Sequence, residues 1–140
     1  MRLRARHVLT IAALATVLIG SGALAASALA PIKITNCVKA SSRPKTLTLT
    51  CGDANTALSK LRWSSFGGLS AQARGTFEMN TCSPNCAAGK VVSYPVTVKA
   101  SDPRTCKGGL RVYNKLTLQF TAMAPSSSGS LKRWTLGCPT

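Results

Sequence analysis

Hydrophobic and polar residues alternate with a period of two along most of the chain after residue 36. This is the spacing of a β-strand with one buried face, whereas an amphipathic helix repeats about every 3.6 residues. We therefore predict an all-β fold, a small antiparallel β-sandwich of six or seven strands. The alternation is clearest in the runs 46–51, 73–79, 92–100, 110–122 and 132–137.

Two places interrupt this pattern. Leu58, Leu61 and Trp63 are spaced by three and two residues, which fits a helical turn or a short strand, and we favour a turn that runs into a strand. Pro95 lies inside the run 92–100 and has no N–H to donate to a neighbouring strand. We expect that strand to lie at a sheet edge or to bulge at Pro95.

The first 30 residues have the three parts of a secretory signal peptide. Basic residues precede an apolar stretch, and small residues follow it. Ala-Leu-Ala at 23–25 predicts cleavage after Ala25, because the other site, after Ala30, would place Pro31 at the junction. We expect a signal peptide at 1–25 and one secreted domain at 26–140 with no membrane span. The alternative is an uncleaved N-terminal membrane anchor.

The chain is strongly basic, with 18 Lys and Arg against three Asp and Glu and a net charge of +15. Loss of residues 1–25 would lower the charge to +12, because three arginines lie there. Such a charge attracts anionic partners, and cell-wall polymers or polysaccharides are the partners we expect. The basic residues are dense between 90 and 115. We predict an anion-binding patch there, made of Lys99, Arg104, Lys107, Arg111 and Lys115.

All six cysteines lie downstream of the predicted signal peptide, which is typical of a disulfide-bonded extracellular domain. Six cysteines allow fifteen pairings, and the sequence alone does not choose among them. Their spacing favours a first pair around a hairpin, a second that closes a short loop, and a third that ties the last strand back. These pairs are Cys37 with Cys51, Cys82 with Cys86, and Cys106 with Cys138.

Two segments carry a resemblance to a known family. Residues 63–71 read W-S-S-F-G-G-L-S-A, residues 80–89 read N-T-C-S-P-N-C-A-A-G, and Tyr-Pro-Val-Thr-Val follows at 94–98. Over residues 37–122 the chain resembles a family of small secreted actinobacterial proteins of unknown function, with the pattern W-x-x-[WF] and N-x-C-x-P-x-C-A-x-G. The resemblance implies secretion and a β fold, and it supplies no activity.

The sequence contains no motif for catalysis, for a cofactor or for a metal, and we expect a protein that is not an enzyme. The only histidine, His7, lies in the predicted signal peptide, which excludes His-dependent nucleophilic catalysis in the secreted domain. Asp53 and Asp102 are interpreted as turn residues, and Glu78 as a residue on a strand surface. No pair of carboxylates suited to glycoside hydrolysis is indicated.

The two tryptophans have two interpretations. Trp63 and Trp134 each follow a residue with positive charge, Arg62 and Arg133, so they could stack on sugars or bases beside a cation. A tryptophan on an alternating strand more often belongs to the core, and we favour the core for both.

We predict a secreted, monomeric, non-enzymatic module that binds anionic envelope polymers, without specific nucleic-acid binding. The alternative is a protein-recognition module, such as an inhibitor or host-factor binder, that uses the loop between Cys82 and Gly89. Binding that weakens with salt would favour the polymer, because charge supplies that affinity. A salt-insensitive complex with one protein would favour the alternative.

The predicted export and the even number of cysteines predict the N-terminus of the secreted protein and the oxidation state of its cysteines. Mass spectrometry of the protein from culture supernatant should find an N-terminus at Ala26 and no alkylatable thiol. Two or more reactive cysteines in the native product would contradict the disulfide prediction.

Overall fold

Eight strands form most of the regular structure. The computed structural model describes residues 30–126 and 128–139, so the predicted signal peptide at 1–25 lies outside the described residues. Two short helical segments lie in these ranges, a 3-10 turn at Lys107–Gly109 and a helix, α1, at Ser128–Leu131. No helix in them is long and apolar enough to span a membrane. The strands are β1 (Ile32–Asn36), β2 (Lys39–Ser41), β3 (Leu47–Thr48), β4 (Thr56–Ser65), β5 (Ser70–Asn80), β6 (Val91–Thr105), β7 (Arg111–Phe120) and β8 (Arg133–Thr135).

The strands form one curled sheet in the order β2-β1-β7-β6-β5-β4-β3. β7 has β6 along one side, and on the other side it pairs first with β1, in parallel, and then with β8, antiparallel. The all-β class predicted from the sequence is confirmed. The strands differ from the prediction in number and arrangement, because eight of them curl into a single sheet. By curling, one sheet covers its own apolar face.

Two local predictions fit only in part. The turn running into a strand that Leu58 and Leu61 suggested is wrong in its first part, because both residues lie within the long strand β4. β6 is in continuous register with β5 and has no bulge at Pro95, but residues 91–95 have no partner on the β7 side, so Pro95 lies at a local edge. The pairing of β6 with β7 begins only at Val96, and the Pro95 nitrogen therefore lies outside this ladder and breaks no hydrogen bond of it.

The inner face of the curled sheet is a continuous apolar core with contributions from β1 and from β3 to β7. Its largest fully buried side chains are those of Tyr113, Phe77, Ile34, Leu47 and Leu58. Trp63 and Trp134 are partly buried and pack against it, which agrees with the core interpretation of both. Burial of side chains of this size stabilises a fold by about 1.5 to 3 kcal/mol each.

β4 contains a β-bulge opposite Gly75. The register between β4 and β5 shifts between Ser59 and Arg62, so Lys60 and Leu61 together oppose Gly75. Lys60 has a φ of 53°. A Cβ atom at Gly75 would lie 2.7 Å from the Ser59 carbonyl oxygen and 2.8 Å from Leu61 Cδ2. The bulge can form only because residue 75 has no side chain.

The bulge exchanges the positions of β4 that face the core and those that face outward. Leu58 and Leu61 are both in the core although they are three positions apart. Trp63 then packs inward, and Arg62 lies exposed on the outer side. Without the extra residue, strict alternation from Leu58 would turn Arg62 toward the core.

A second phase shift lies in β7, where Tyr113 joins the core cluster and Val112, at an apolar position of the alternating run 110–122, is buried but outside that cluster. Tyr113 and Leu116 are both core residues, so the alternation slips by one residue between them. On the neighbouring strand Asp102 has a φ of 58°, and its carboxylate accepts a hydrogen bond from Asn114 Nδ2 at 3.2 Å. The distortion of β6 and that of β7 therefore coincide.

Tyr113 also anchors the loop between β4 and β5. Its hydroxyl donates to the Gly68 carbonyl at 2.8 Å and accepts from the Gly67 N–H at 3.0 Å. Its ring meets that of Phe66 edge to face, with 5.7 Å between centroids. The buried phenol is thus fully satisfied while its ring packs against the core.

The three disulfides join the pairs that cysteine spacing favours. They are Cys37 with Cys51, Cys82 with Cys86, and Cys106 with Cys138. The last pair closes a segment of 32 residues, which in the chain-entropy description stabilises the fold by about 4 kcal/mol. With the β-rich structure, these bonds are compatible with an extracellular protein.

β1 is bridged to β3 at the other end of the strand order. The disulfide between Cys37 and Cys51 connects the end of β1 with the turn after β3. Asn36 Oδ1 also accepts a hydrogen bond from the Thr48 N–H at 2.9 Å. The curled sheet is therefore tied between its second strand and its last strand.

The Gly75→Ala substitution should destabilise the protein because the new methyl group would overlap Ser59 and Leu61. We expect a loss of about 1 to 3 kcal/mol in the free energy of unfolding, measured by urea titration. Gly52→Ala is the matched control, since a Cβ at Gly52 has nothing within 4 Å. Equal stabilities of the two variants would contradict the account of the bulge.

Candidate anion-binding face

Polar residues lie in two registered rows on the outer side of the central strands. The first row joins the Cα partners Arg62, Arg74, Thr97 and Gln119. The second row joins Gln72, Lys99, Thr117 and Arg133. Adjacent strands are about 4.8 Å apart and the rows about 6.7 Å apart, so side chains of both rows reach a common volume.

A cavity of about 560 Å³ lies over these rows. Every member of the two rows lines it except Arg133, and Ser64 adds a further hydroxyl group. Ala73 and Val98, whose side chains belong to the core, also line the cavity. The floor is therefore the sheet itself, which is a rigid support for the polar side chains around it.

Four of these residues are exposed cations: Arg62, Arg74, Lys99 and Arg133, here called the cationic face. Within residues 30–126 and 128–139, no carboxylate pairs with their side chains and no other group forms a hydrogen bond with them. The neutral residues around them offer hydroxyl and amide groups only. The face therefore has a concentrated positive charge with donors still available to an incoming anion.

Arg62 and Arg74 stand directly opposite each other on β4 and β5. Like charges at opposed positions of an antiparallel pair are destabilising, and long side chains there are close enough to interact. The β-bulge opposite Gly75 brings about this arrangement, because it turns Arg62 outward and sets the register of Arg62 against Arg74.

The structure divides the five residues of the predicted anion-binding patch. Lys99 lines the cavity and belongs to the cationic face. Lys115 and Arg104 each form an ion pair of 3.4 Å with Asp102. Lys107 is exposed in the 3-10 turn. Arg111 donates to the Ala30 carbonyl at 3.3 Å.

The predicted anion-binding patch contains none of Arg62, Arg74 and Arg133, and Arg62 and Arg133 entered the sequence analysis only as cations beside the tryptophans. Arg62 lies where a turn running into a strand is predicted, so its direction is undefined. Arg74 lies at a polar position of the run 73–79, but the sequence does not show which strand pairs with that run. Their clustering depends on which strands are neighbours, and strand order is not encoded in local alternation.

The two tryptophans provide no stacking surface on the cationic face. Trp63 Nε1 donates to the Pro44 carbonyl at 2.8 Å, and Trp134 Nε1 donates to the Leu131 carbonyl at 2.8 Å. Both rings pack against the core. The cavity lining contains no aromatic side chain, so recognition there relies on charge and hydrogen bonds.

The three acidic residues serve separate local roles. Asp53 accepts hydrogen bonds from the backbone and the side chain of Asn55, which hold the pKa of Asp53 below its usual value. Glu78 accepts a hydrogen bond from the Ser59 hydroxyl. The residue of β6 that pairs with Glu78 lies about 30 Å along the strand from Asp102. The two carboxylates of a catalytic pair lie much closer together than this. The described residues contain no metal-binding group of His, Cys, Asp or Glu.

The loop closed by Cys82 and Cys86 is held in one conformation by Asn80. Asn80 Nδ2 donates to the Cys86 carbonyl at 2.8 Å, and Asn80 Oδ1 accepts from the Cys82 N–H at 2.9 Å. A Cβ at Gly89 would overlap Asn80 Oδ1, so glycine is required there. The loop is exposed and preorganised, and residues 83–88 carry no charge.

Asp102 has a pKa below its usual value, chiefly because the Asn114 amide donates to its charged form, with Lys115 and Arg104 adding to the effect. This contribution to stability is present above the unfolded-state pKa and is lost as the pH falls through the folded-state pKa. Asn114→Ala should therefore raise the pKa of Asp102 toward its usual value, measured by NMR titration of the carboxyl carbon. Lys107→Gln is the control, and an unchanged pKa in Asn114→Ala would contradict the assignment.

Comparison with known proteins gives no match, since no family model, no curated protein and no solved structure is similar to this chain.

Proposed function

We propose that this protein is a secreted, non-enzymatic module that binds anionic polymers of the cell envelope through the cationic face. The observation that carries the proposal is the set of unpaired cations, Arg62, Arg74 and Lys99, around one cavity on a rigid sheet. The ordinary explanation for surface cations is solubility, and it predicts charges that are scattered or balanced by acids. The three lining cations are neither.

The composition of the face favours a polymer with repeated negative charge. Threonine, glutamine and serine side chains surround the cations, so an anion meets hydrogen-bond donors and acceptors on all sides. Arg133 extends the charge beyond the cavity, at the register position of Thr117. A ligand longer than the cavity would therefore find a further cation along the second row. Charge spread in this way supports modest affinity at each site and cumulative binding along a chain.

A second candidate is protein recognition through the loop between Cys82 and Gly89. It is favoured by the hydrogen bonds of Asn80, which fix the loop before any partner arrives and so reduce the entropy lost on binding. Such a complex would form through uncharged groups. Its affinity would therefore depend little on salt, and it would be insensitive to changes on the cationic face.

The triple substitution Arg62→Gln, Arg74→Gln and Lys99→Gln should weaken retention of the protein on immobilised polyanion. Log affinity falls linearly with log salt, and each cation removed eliminates one site of counterion release. The steepness of this fall should therefore decrease by about 2 for a flexible chain. The three positions are exposed, and the melting temperature should stay nearly unchanged. Retention at several salt concentrations gives the slope.

The matched control removes the same charge elsewhere, with Lys39→Gln, Arg43→Gln and Lys45→Gln, all exposed. A second comparison, Arg104→Gln with Lys107→Gln, addresses the turn that the sequence analysis favoured. Equal losses per charge removed in all three variants would contradict the proposal and leave a generally basic protein.

A further inference from the structure

We infer that Arg62 and Arg74 form a subsite for a phosphoryl group, and that the polymer is therefore a polyol phosphate, a chain of alcohols joined by phosphate esters. This inference rests on the proposed function and names the chemical class of its ligand. It starts from the pairing of two arginines at opposed positions, with an anion expected between them.

The backbone imposes this pairing. The Lys60–Leu61 bulge uses a residue with positive φ and requires the absence of a side chain at Gly75. Its effect on the outer side is to place one guanidinium beside another, which is unfavourable in the free protein. A β-bulge that re-aims a side chain is a recurrent feature next to binding sites. An anion that bridges the two guanidinium groups converts their repulsion into two attractions.

The number of donors points to an anion with several oxygens in different planes. Each guanidinium offers a fork of two N–H groups, and the side-chain amides of Gln72 and Gln119 line the same cavity. One arginine fork already matches both oxygens of a carboxylate. A second fork from the neighbouring strand and two amides are better used by a tetrahedral phosphodiester, because its two charged oxygens and its two ester oxygens lie in perpendicular planes.

The remaining part of the face fits a chain without aromatic groups. The cavity lining contains no aromatic ring, whereas proteins that hold single-stranded nucleic acid stack bases on such rings. Lys99 lies on the strand next to that of Arg74 and in the second row, so about 8 Å separates the two Cα atoms. It is placed to contact the next negative charge of a chain that crosses the strands obliquely.

The test uses the charge-preserving variant Arg62→Lys with Arg74→Lys, which keeps both cations and removes both forks. Binding of purified domain to a glycerol phosphate polymer, to polygalacturonate and to dextran sulfate is measured by calorimetry at one salt concentration. We expect the wild type to prefer the phosphate polymer, and the variant to lose at least fivefold in affinity for it while binding to polygalacturonate changes less than twofold. Arg43→Lys, at an exposed arginine outside the cationic face, should have little effect on either.

Circular dichroism and thermal unfolding are used to check that the double-lysine variant is folded, and the single variant Arg74→Lys provides a second measurement if it is not. Equal losses for phosphate and carboxylate polymers, or an equal wild-type affinity for dextran sulfate, would overturn the phosphoryl subsite. If the double-lysine variant binds the phosphate polymer normally while the triple-glutamine variant does not, the subsite fails and the proposed function stands. If the triple-glutamine variant also binds normally, both fail.

Discussion

The missing side chain at Gly75 is the constraint on which the arrangement of this sheet depends. It leaves room for two residues of β4 to lie opposite one residue of β5. The extra residue directs Leu61 into the core and Arg62 out of it, so the same local distortion completes the apolar interior and builds the exterior. Core packing and the proposed binding surface are therefore not independent properties of this chain.

The distribution of the few acids sorts the cations into two kinds. Asp102 accepts the Asn114 hydrogen bond and forms ion pairs with Lys115 and Arg104. Arg62, Arg74, Lys99 and Arg133 have no such partner among the described residues. A patch defined by sequence proximity alone thus mixes cations that already have an acidic partner with cations that have none among the described residues. Cations already paired must lose a partner to bind an anion, whereas unpaired ones need only shed water.

Several features were predictable because they depend on local sequence. Period-two alternation identified the β class, and cysteine spacing favoured the three bonds that the structure contains. The same reasoning failed in β4 because the bulge spaces Leu58 and Leu61 by three residues, as one face of a helix would. It also failed at Tyr113, where the alternation of β7 slips by one residue beside the positive φ of Asp102, and local alternation predicts neither feature.

The cationic face was beyond the reach of the sequence for a different reason. Arg62 and Arg74 are 12 positions apart, and Lys99 lies 25 positions further on. Only the strand order and the register bring them together. Local patterns determine which way a side chain points, and the topology of the sheet determines its neighbours. Lys99 was recognised because its own strand alternates cleanly, but its partners were not.

The closure of the curled sheet also bears on how the protein behaves when crowded. Its edge strands, β2 and β3, have only three and two residues. The Cys37–Cys51 bond and the Asn36 hydrogen bond also hold the end of β1, the partner of β2, to β3 and the turn after it. Short edges leave little backbone for strand addition between molecules. A protein that accumulates along a charged polymer reaches high local concentrations. Protected edges would let the protein bind such a surface densely and still dissociate from it as separate molecules.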